Sequence, residues 1–200
     1  VGRVREVGDV DDLRIGQRVF VPGAQCFGEV RGLFGGAAGH LVVPAKRVTP
    51  VAEDLEESSV LLALAATAYH AIAAEHAAPP DLIVGHGVLG RLLARITMAL
   101  GHDAPVVWER NPVRSGGATG YPVLDPADDD RHDYRSIYDV SGDASLLDSL
   151  IGRLCKGGEI VLAGFYSQPL SFAFPPAFMR EARIRIAAEW QPADLAATNI

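Results

Sequence analysis

Leu82-Ile83-Val84-Gly85-His86-Gly87-Val88-Leu89-Gly90 reads as a short strand that passes through a glycine turn into a helix. Leu89, Leu92, Leu93, Ile96 and Leu100 keep one face at helical spacing, and Gly101 stands where such a helix should stop. A G-x-G-x-x-G match alone is weak, but strand, turn and helix in this order make it a dinucleotide-binding signature. Each glycine has its own physical reason: Gly85 permits the tight turn, Gly87 lets the backbone approach a pyrophosphate, and Gly90 lets the helix pack closely. The helix start at Val88 and Leu89 offers free N–H groups and a partial positive charge to the phosphates. For His86, inside the loop, the backbone is expected to matter more than the ring.

Outward from this loop, the next apolar run, Val106-Val107-Trp108, ends in Glu109, about 20 residues past the last glycine. A carboxylate there accepts hydrogen bonds from ribose hydroxyls and favours NAD. Arg110 follows and suits a 2′-phosphate, so NADP stays open; an exposed turn is the plain alternative for the pair. Ser141-Gly142 and Ala163-Gly164-Phe165 end two later strands, where ligands of open parallel sheets bind. Gly142 and Gly164 either let a cofactor lie against the backbone or simply end strands.

Strand and helix patterns alternate throughout this part of the chain: 82–84, 88–100, 106–108, 136–140, 145–154 and 159–163. That alternation predicts an α/β fold, a Rossmann-type doubly wound parallel sheet. Between 111 and 133 the chain is rich in Gly, Pro and Asp, and Asp128, Asp129 and Asp130 read as a solvated loop. In the tail beyond 168, four prolines surround one expected strand, 183–188. The first 51 residues read as short strands, such as 18–21 and 40–43, around a Gly-rich stretch from 28 to 39. Residues 60–76 read as a helix ended by Pro79 and Pro80. A domain boundary is expected near 52/53.

The chain has 200 residues, 48% of them apolar, and a net charge of −7, so it can bury a core but has no basic surface for nucleic acid. Apolar runs break well short of the roughly 20 residues of a membrane span. Cys26 and Cys155 are its two cysteines, too few for a disulfide framework or a four-cysteine zinc site, which suggests a cytoplasmic protein. Cys26 reads as a small packed residue. Val1 opens the sequence inside a strand-like pattern, so it reads as a fragment cut at both ends.

These motifs resemble the medium-chain dehydrogenase/reductase family across nearly the whole chain. The segment from Gly2-Arg3-Val4 to Gly8 and Gly16-Gln17-Arg18-Val19 are similar to its N-terminal landmarks, with Gln17 where Asp is usual. Leu41-Val42-Val43-Pro44, Ala66-Thr67-Ala68-Tyr69 and Lys156-Gly157-Gly158-Glu159-Ile160-Val161 continue the series. The resemblance implies part of a β-rich GroES-like catalytic domain over 1–52 and a Rossmann domain over 53–200, incomplete at its C-terminus. More narrowly, Phe20-Val21-Pro22-Gly23, Glu29 to Ala37, Gly85 to Arg91, Trp108 to Pro112 and Trp190 to Leu195 resemble family members that act on bacteriochlorin pigments. That implies NAD-dependent oxidation of a 3-(1-hydroxyethyl) group to 3-acetyl. The rival readings are a zinc-independent quinone or enoyl reductase and a non-catalytic nucleotide-binding module.

Zinc relatives in the family carry a cysteine ligand where Ala63 stands and a four-cysteine lobe of which only Cys26 remains, so no metal is expected. Oxidation of the alcohol then needs a side chain or ordered water to take the hydroxyl proton. Thr67, Tyr69 and His70 are the candidates, although His70 reads more simply as a hydrogen-bonded structural histidine. Phe27, Leu33 and Phe34 are candidate walls of a cleft for a flat apolar substrate, or a small local core. A fragment of this kind is expected to be inactive alone, and the resemblance is compatible with a homodimer.

Overall fold

Residues 1–9, 12–22, 39–187 and 189–198 are described in the computed structural model. They fall into two compact units, Val1–Ala63 and Leu64–Thr198. Cys26, Phe27, Leu33, Phe34 and the glycine-rich stretch before Gly39 lie outside the described residues.

In the first unit, strands β1 (Gly2–Arg3), β2 (Arg18–Phe20) and β3 (Thr49–Pro50) form an antiparallel sheet in that order. Gly2 pairs with Val19, and Val19 with Pro50. Val19, Phe20 and Val51 are its buried apolar residues. Residues 40–43, expected as a strand, form none among the described residues: Val42 is 92% exposed, Leu41 and Val43 are only half-buried, and Pro44 follows. A 3₁₀ segment, Glu53–Leu61, is kinked at Glu56. Arg3 grips both carboxylate oxygens of Glu53 at 2.8 and 2.7 Å, and this bond chiefly lowers the Glu53 carboxyl to about 2.

The second unit is built on six strands, all parallel: β4 (Leu82–Val84), β5 (Val106–Trp108), β6 (Val123–Leu124), β7 (Tyr134–Asp139), β8 (Leu154–Leu162) and β9 (Arg183–Ile186). Their order, β6-β5-β4-β7-β8-β9, is the doubly wound arrangement, with its switch point between β4 and β7. Alternate residues enter two cores. Ile83, Val107, Tyr138 and Val161 pack with Ala68, Ala71 and Ile72 of α1 (Leu62–Ile72) and with Leu93 and Ala94 of α2 (Val88–Ala99). Leu82, Val84, Trp108, Ile137, Ile160 and Leu162 pack instead with Leu147, Leu150 and Ile151 of α4 (Leu147–Arg153) and Ala177 of α5 (Phe174–Arg180). Burial on both faces is why these strands read as continuous apolar runs.

The helices α3 (Pro112–Ser115), α5 and α6 (Pro192–Thr198) were not evident in the sequence pattern, which shows prolines there. Those prolines sit in the first turn, where the missing N–H would have no intrahelical partner, so they start the helices. Strand β6 is only two residues long, too short to show a period, and β9 ends at Ile186 where an expected run continued to 188.

Asp129 departs from the expected solvated acidic loop. It is buried, and its Oδ2 accepts hydrogen bonds from the Trp108 indole at 2.6 Å and from the Tyr134 hydroxyl. Burial opposes its ionisation, but bonds from Tyr134, the Arg131 backbone and Trp108 outweigh burial and hold its carboxyl below the usual carboxylate value. Asp129→Ala leaves two buried donors without an acceptor and should cost about 2–4 kcal/mol. Chemical denaturation of the full-length protein checks this, with Asp129→Asn expected to lose less.

Candidate functional site

The loop that follows β4 is shaped by backbone contacts that exclude side chains. Gly85 has φ +105° and donates its N–H to the Trp108 carbonyl at 2.9 Å. A Cβ at Gly90 would lie 1.9 Å from the Gly85 carbonyl oxygen, so the first turn of α2 rests directly on the loop. At Gly87, the residue that caps α2, a Cβ would meet nothing within 4 Å, which leaves open space over the helix N-terminus. Val88 is exposed there, and Leu89 packs inward against the core.

Glu109 stands beside this loop. Its Oε2 accepts the His86 N–H at 3.1 Å and its Oε1 the Asn111 N–H at 2.8 Å, which fixes the carboxylate at the end of β5. Each oxygen keeps a further lone pair for a ligand hydroxyl. Arg110 is exposed, and its charge contributes to lowering the carboxyl of Asp143, behind the larger effect of Ser145.

The third and fourth loops close the row. Ser141 donates both its N–H and its hydroxyl to Asp139 Oδ1, at 2.9 and 2.6 Å. A Cβ at Gly85 would touch Ser141, one at Gly142 would lie 2.9 Å from the Phe165 carbonyl, and one at Gly164 3.2 Å from Gly142 and Val140. The N–H groups of Ala163 and Gly164 both donate to the Asp139 carbonyl at 3.0 Å. The Phe165 side chain is 91% exposed. Ser141–Ser145, Gln168, Pro169 and Ser171 line an open groove of about 590 Å³ beside these loops.

All the residues singled out as cofactor-binding in the sequence thus gather at the carboxyl ends of adjacent strands. Thr67, Tyr69 and His70 lie on α1 and form a separate group. There the His70 Nδ1 is 2.9 Å from Asp194 Oδ2, and a carboxylate only accepts, so Nδ1 carries the hydrogen. Among the described residues, no three His, Cys, Asp or Glu side chains gather as a metal site, and no helix is long and apolar enough to cross a membrane.

The sequence reading missed two groups. Asp139 is buried, and burial raises its carboxyl above the usual value despite the Ser141 bonds. Its signal is the Asp two residues before a Ser-Gly turn, an Asx-type pattern. The His86 imidazole, expected to matter less than its backbone, is also buried, with Nδ1 2.6 Å from the Arg114 carbonyl and Nε2 2.8 Å from the Tyr121 hydroxyl.

No family model matches the chain. It is 59% identical over 203 residues to 2-desacetyl-2-hydroxyethyl bacteriochlorophyllide A dehydrogenase of Cereibacter sphaeroides, covering 99% of this chain and 64% of the relative. The protein of the same name from Rhodobacter capsulatus is 59% identical over 199 residues, covering 99% of this chain and 63% of the relative. The chain therefore spans less than two thirds of the length of these curated relatives. Among solved structures, 2R,3R-butanediol dehydrogenase from Bacillus subtilis superimposes with a TM-score of 0.77 at 21% identity, over 99% of this chain and 67% of that one. Galactitol-1-phosphate dehydrogenase from Escherichia coli gives 0.78 at 18% identity, over 99% and 70%.

The fold is that of the medium-chain dehydrogenase/reductases. A protein from Sinorhizobium meliloti, solved with NADP bound, shares it with a TM-score of 0.78 at 19% identity, over 98% of this chain and 69% of that one.

Gly90→Ala should destabilise the protein by about 3 kcal/mol, because the obstructing atom is backbone, whereas Gly87→Ala should stay within about 1 kcal/mol. Urea denaturation of the two variants separates these outcomes. Burial, then Arg91 and Arg95, lower the His86 pKa against the raising effects of the Arg114 carbonyl and Glu109. The unfolded chain, with its histidine near about 6.5, then binds the proton more readily. Stability should be constant with respect to His86 above that pH and fall as pH drops below it. In His86→Asn this part of the slope should vanish in denaturation curves measured between about pH 5 and 7.

Proposed function

We propose that this chain is the cofactor-binding part, with a piece of the GroES-like catalytic domain over 1–52, of an NAD-dependent medium-chain dehydrogenase. The reaction is oxidation of the 3-(1-hydroxyethyl) group of a bacteriochlorophyllide to 3-acetyl. The observation that carries this reading is 59% identity along 99% of the chain to dehydrogenases named for that hydroxyethyl pigment. The reading includes a cytoplasmic enzyme, a homodimer and no zinc, the last supported by Ala63 at the position of the family's cysteine ligand.

The open space at Gly87 and the N-terminus of α2 suit the diphosphate, and Glu109 suits the adenosine ribose. Its fixed negative charge disfavours a 2′-phosphate, which supports NAD over NADP. Ser141 and Gly142, then Ala163, Gly164 and Phe165, border the remainder of the cofactor. Bound there, NAD supplies the hydride acceptor. The hydroxyl proton falls to Thr67, Tyr69 or His70. With Nδ1–H committed to Asp194, Nε2 is the His70 ring nitrogen that can serve a base or relay.

The test is NADH formation by the full-length protein with a 3-(1-hydroxyethyl) bacteriochlorin, beside simple alcohols and quinones. Turnover of the bacteriochlorin with NAD, unchanged by chelator, is expected. Turnover of quinones or enones alone makes the protein a reductase, and binding of NAD without any turnover makes it a nucleotide-binding module.

A further inference from the structure

His86 has every polar group it owns engaged, and each bond leads to a different part of the site's adenosine side. Its N–H donates to Glu109 Oε2 at 3.1 Å, and its carbonyl accepts the Arg91 Nε–H at 3.2 Å. The Arg114 carbonyl can only accept, so the buried ring donates from Nδ1 at 2.6 Å and its Nε2 accepts the Tyr121 hydroxyl at 2.8 Å. The two rings meet edge to face, with centroids 5.6 Å apart. Arg91, one residue past Gly90, closes the same circuit by donating from Nη2 to the carbonyls of Arg114 and Gly116, both at 2.8 Å. A glycine loop joined to its neighbours only by backbone packing would leave Glu109 and the 114–116 segment free to shift. Here the His86 ring ties the 114–116 segment to the loop, and the His86 backbone N–H ties Glu109 to it.

We infer that His86 is a positioning residue for the adenosine end of the cofactor, its ring, braced by Tyr121, acting through the 114–116 segment that Arg91 also holds, beside the Glu109 carboxylate that its backbone N–H meets. This rests on the dinucleotide reading of the site. The role is specific: the bond to Arg114 fixes where the segment after Glu109 runs, while the His86 N–H fixes one carboxylate oxygen. Both bonds end on the proposed adenosine side, at Glu109 and Arg114, so the residue sets cofactor affinity rather than the rate of hydride transfer.

The experiment uses the full-length protein and ADP-ribose, which carries the adenosine and diphosphate without the reactive ring. His86→Ala should weaken ADP-ribose binding about tenfold, the loss expected when a buried carbonyl acceptor and a hydroxyl lose their partner. The KM for NAD should rise in parallel, and kcat at saturating NAD should fall far less. His86→Asn, whose amide N–H can occupy the place of Nδ1, should recover binding to within about threefold, and His86→Leu should not. Tyr121→Phe, which removes one hydroxyl and keeps the ring, should show an intermediate loss of about threefold. Unchanged ADP-ribose affinity in His86→Ala or Tyr121→Phe overturns the inference, as does a loss in which kcat and affinity fall together and Asn restores neither. If the wild-type protein itself binds no ADP-ribose, the dinucleotide reading fails, and this inference with it.

Discussion

Close backbone contact at four glycines is the constraint on which the site depends. Gly90 lets α2 sit on the Gly85 carbonyl, Gly85 lies against Ser141, Gly142 against the Phe165 carbonyl, and Gly164 against Val140 and Gly142. The loops after β4, β7 and β8 therefore form one packed row without intervening side chains. Such a row has little freedom to adjust, because interiors at this density transmit a displacement to the next contact. A methyl group at Gly90 would be felt at the β7 loop as well as in its own turn.

Two buried carboxylates, only one of them beside this row, show how burial and hydrogen bonding compete. Asp139 and Asp129 lie at opposite ends of the sheet, and their pKa shifts run in opposite directions. Both are desolvated. Asp129 collects the Trp108 indole, the Tyr134 hydroxyl and the Arg131 N–H, and these prevail over burial. Asp139 receives the Ser141 N–H and hydroxyl on one oxygen, and burial prevails. Tyr166 also lowers Asp139, so the balance turns on how strongly burial weighs against the donors each carboxylate gathers. Glu109, less deeply buried, is held by two backbone N–H groups and has acceptor capacity to spare.

The Rossmann-type half of this molecule was legible in sequence because its determinants are local. A strand, three glycines, a helical stripe and an acid at the next strand end lie within 28 residues, 82 to 109, and every one of them is in place. What escaped reading depends on distance. Nothing near His86 says that its ring will meet Arg114 and Tyr121, 28 and 35 residues away. Asp129 looked like its neighbours Asp128 and Asp130, and only the fold brings Trp108 to it. Pro112, Pro175 and Pro192 carry the same letter whether they start a helix or break one. The first 51 residues suffer most, because strands of two or three residues have no period to detect.

The acidic run has a reason that follows from topology. Strand β6 is at the edge of the sheet and β7 near its centre, three strand spacings away, or about 14 Å. The chain must also return from the carboxyl end of β6 to the amino end of β7. Segment 125–133 makes this crossing with one short 3₁₀ turn, Pro126–Asp128, in place of an α-helix, so it has no helical stripe to bury and few internal backbone bonds. Polar side chains take over that task. Asp129 reaches Trp108 and Tyr134, Arg131 grips both oxygens of Asp81 at 2.8 Å and lies 4.2 Å over the Tyr134 ring, and Arg153 donates to the carbonyls of Asp129 and Arg131. A crossing without a helix must satisfy its backbone in this way. The position of Trp108, and of Glu109 after it, then depends on charged groups before β7, so the end of β5 is held by this crossing as well as by the glycine loop.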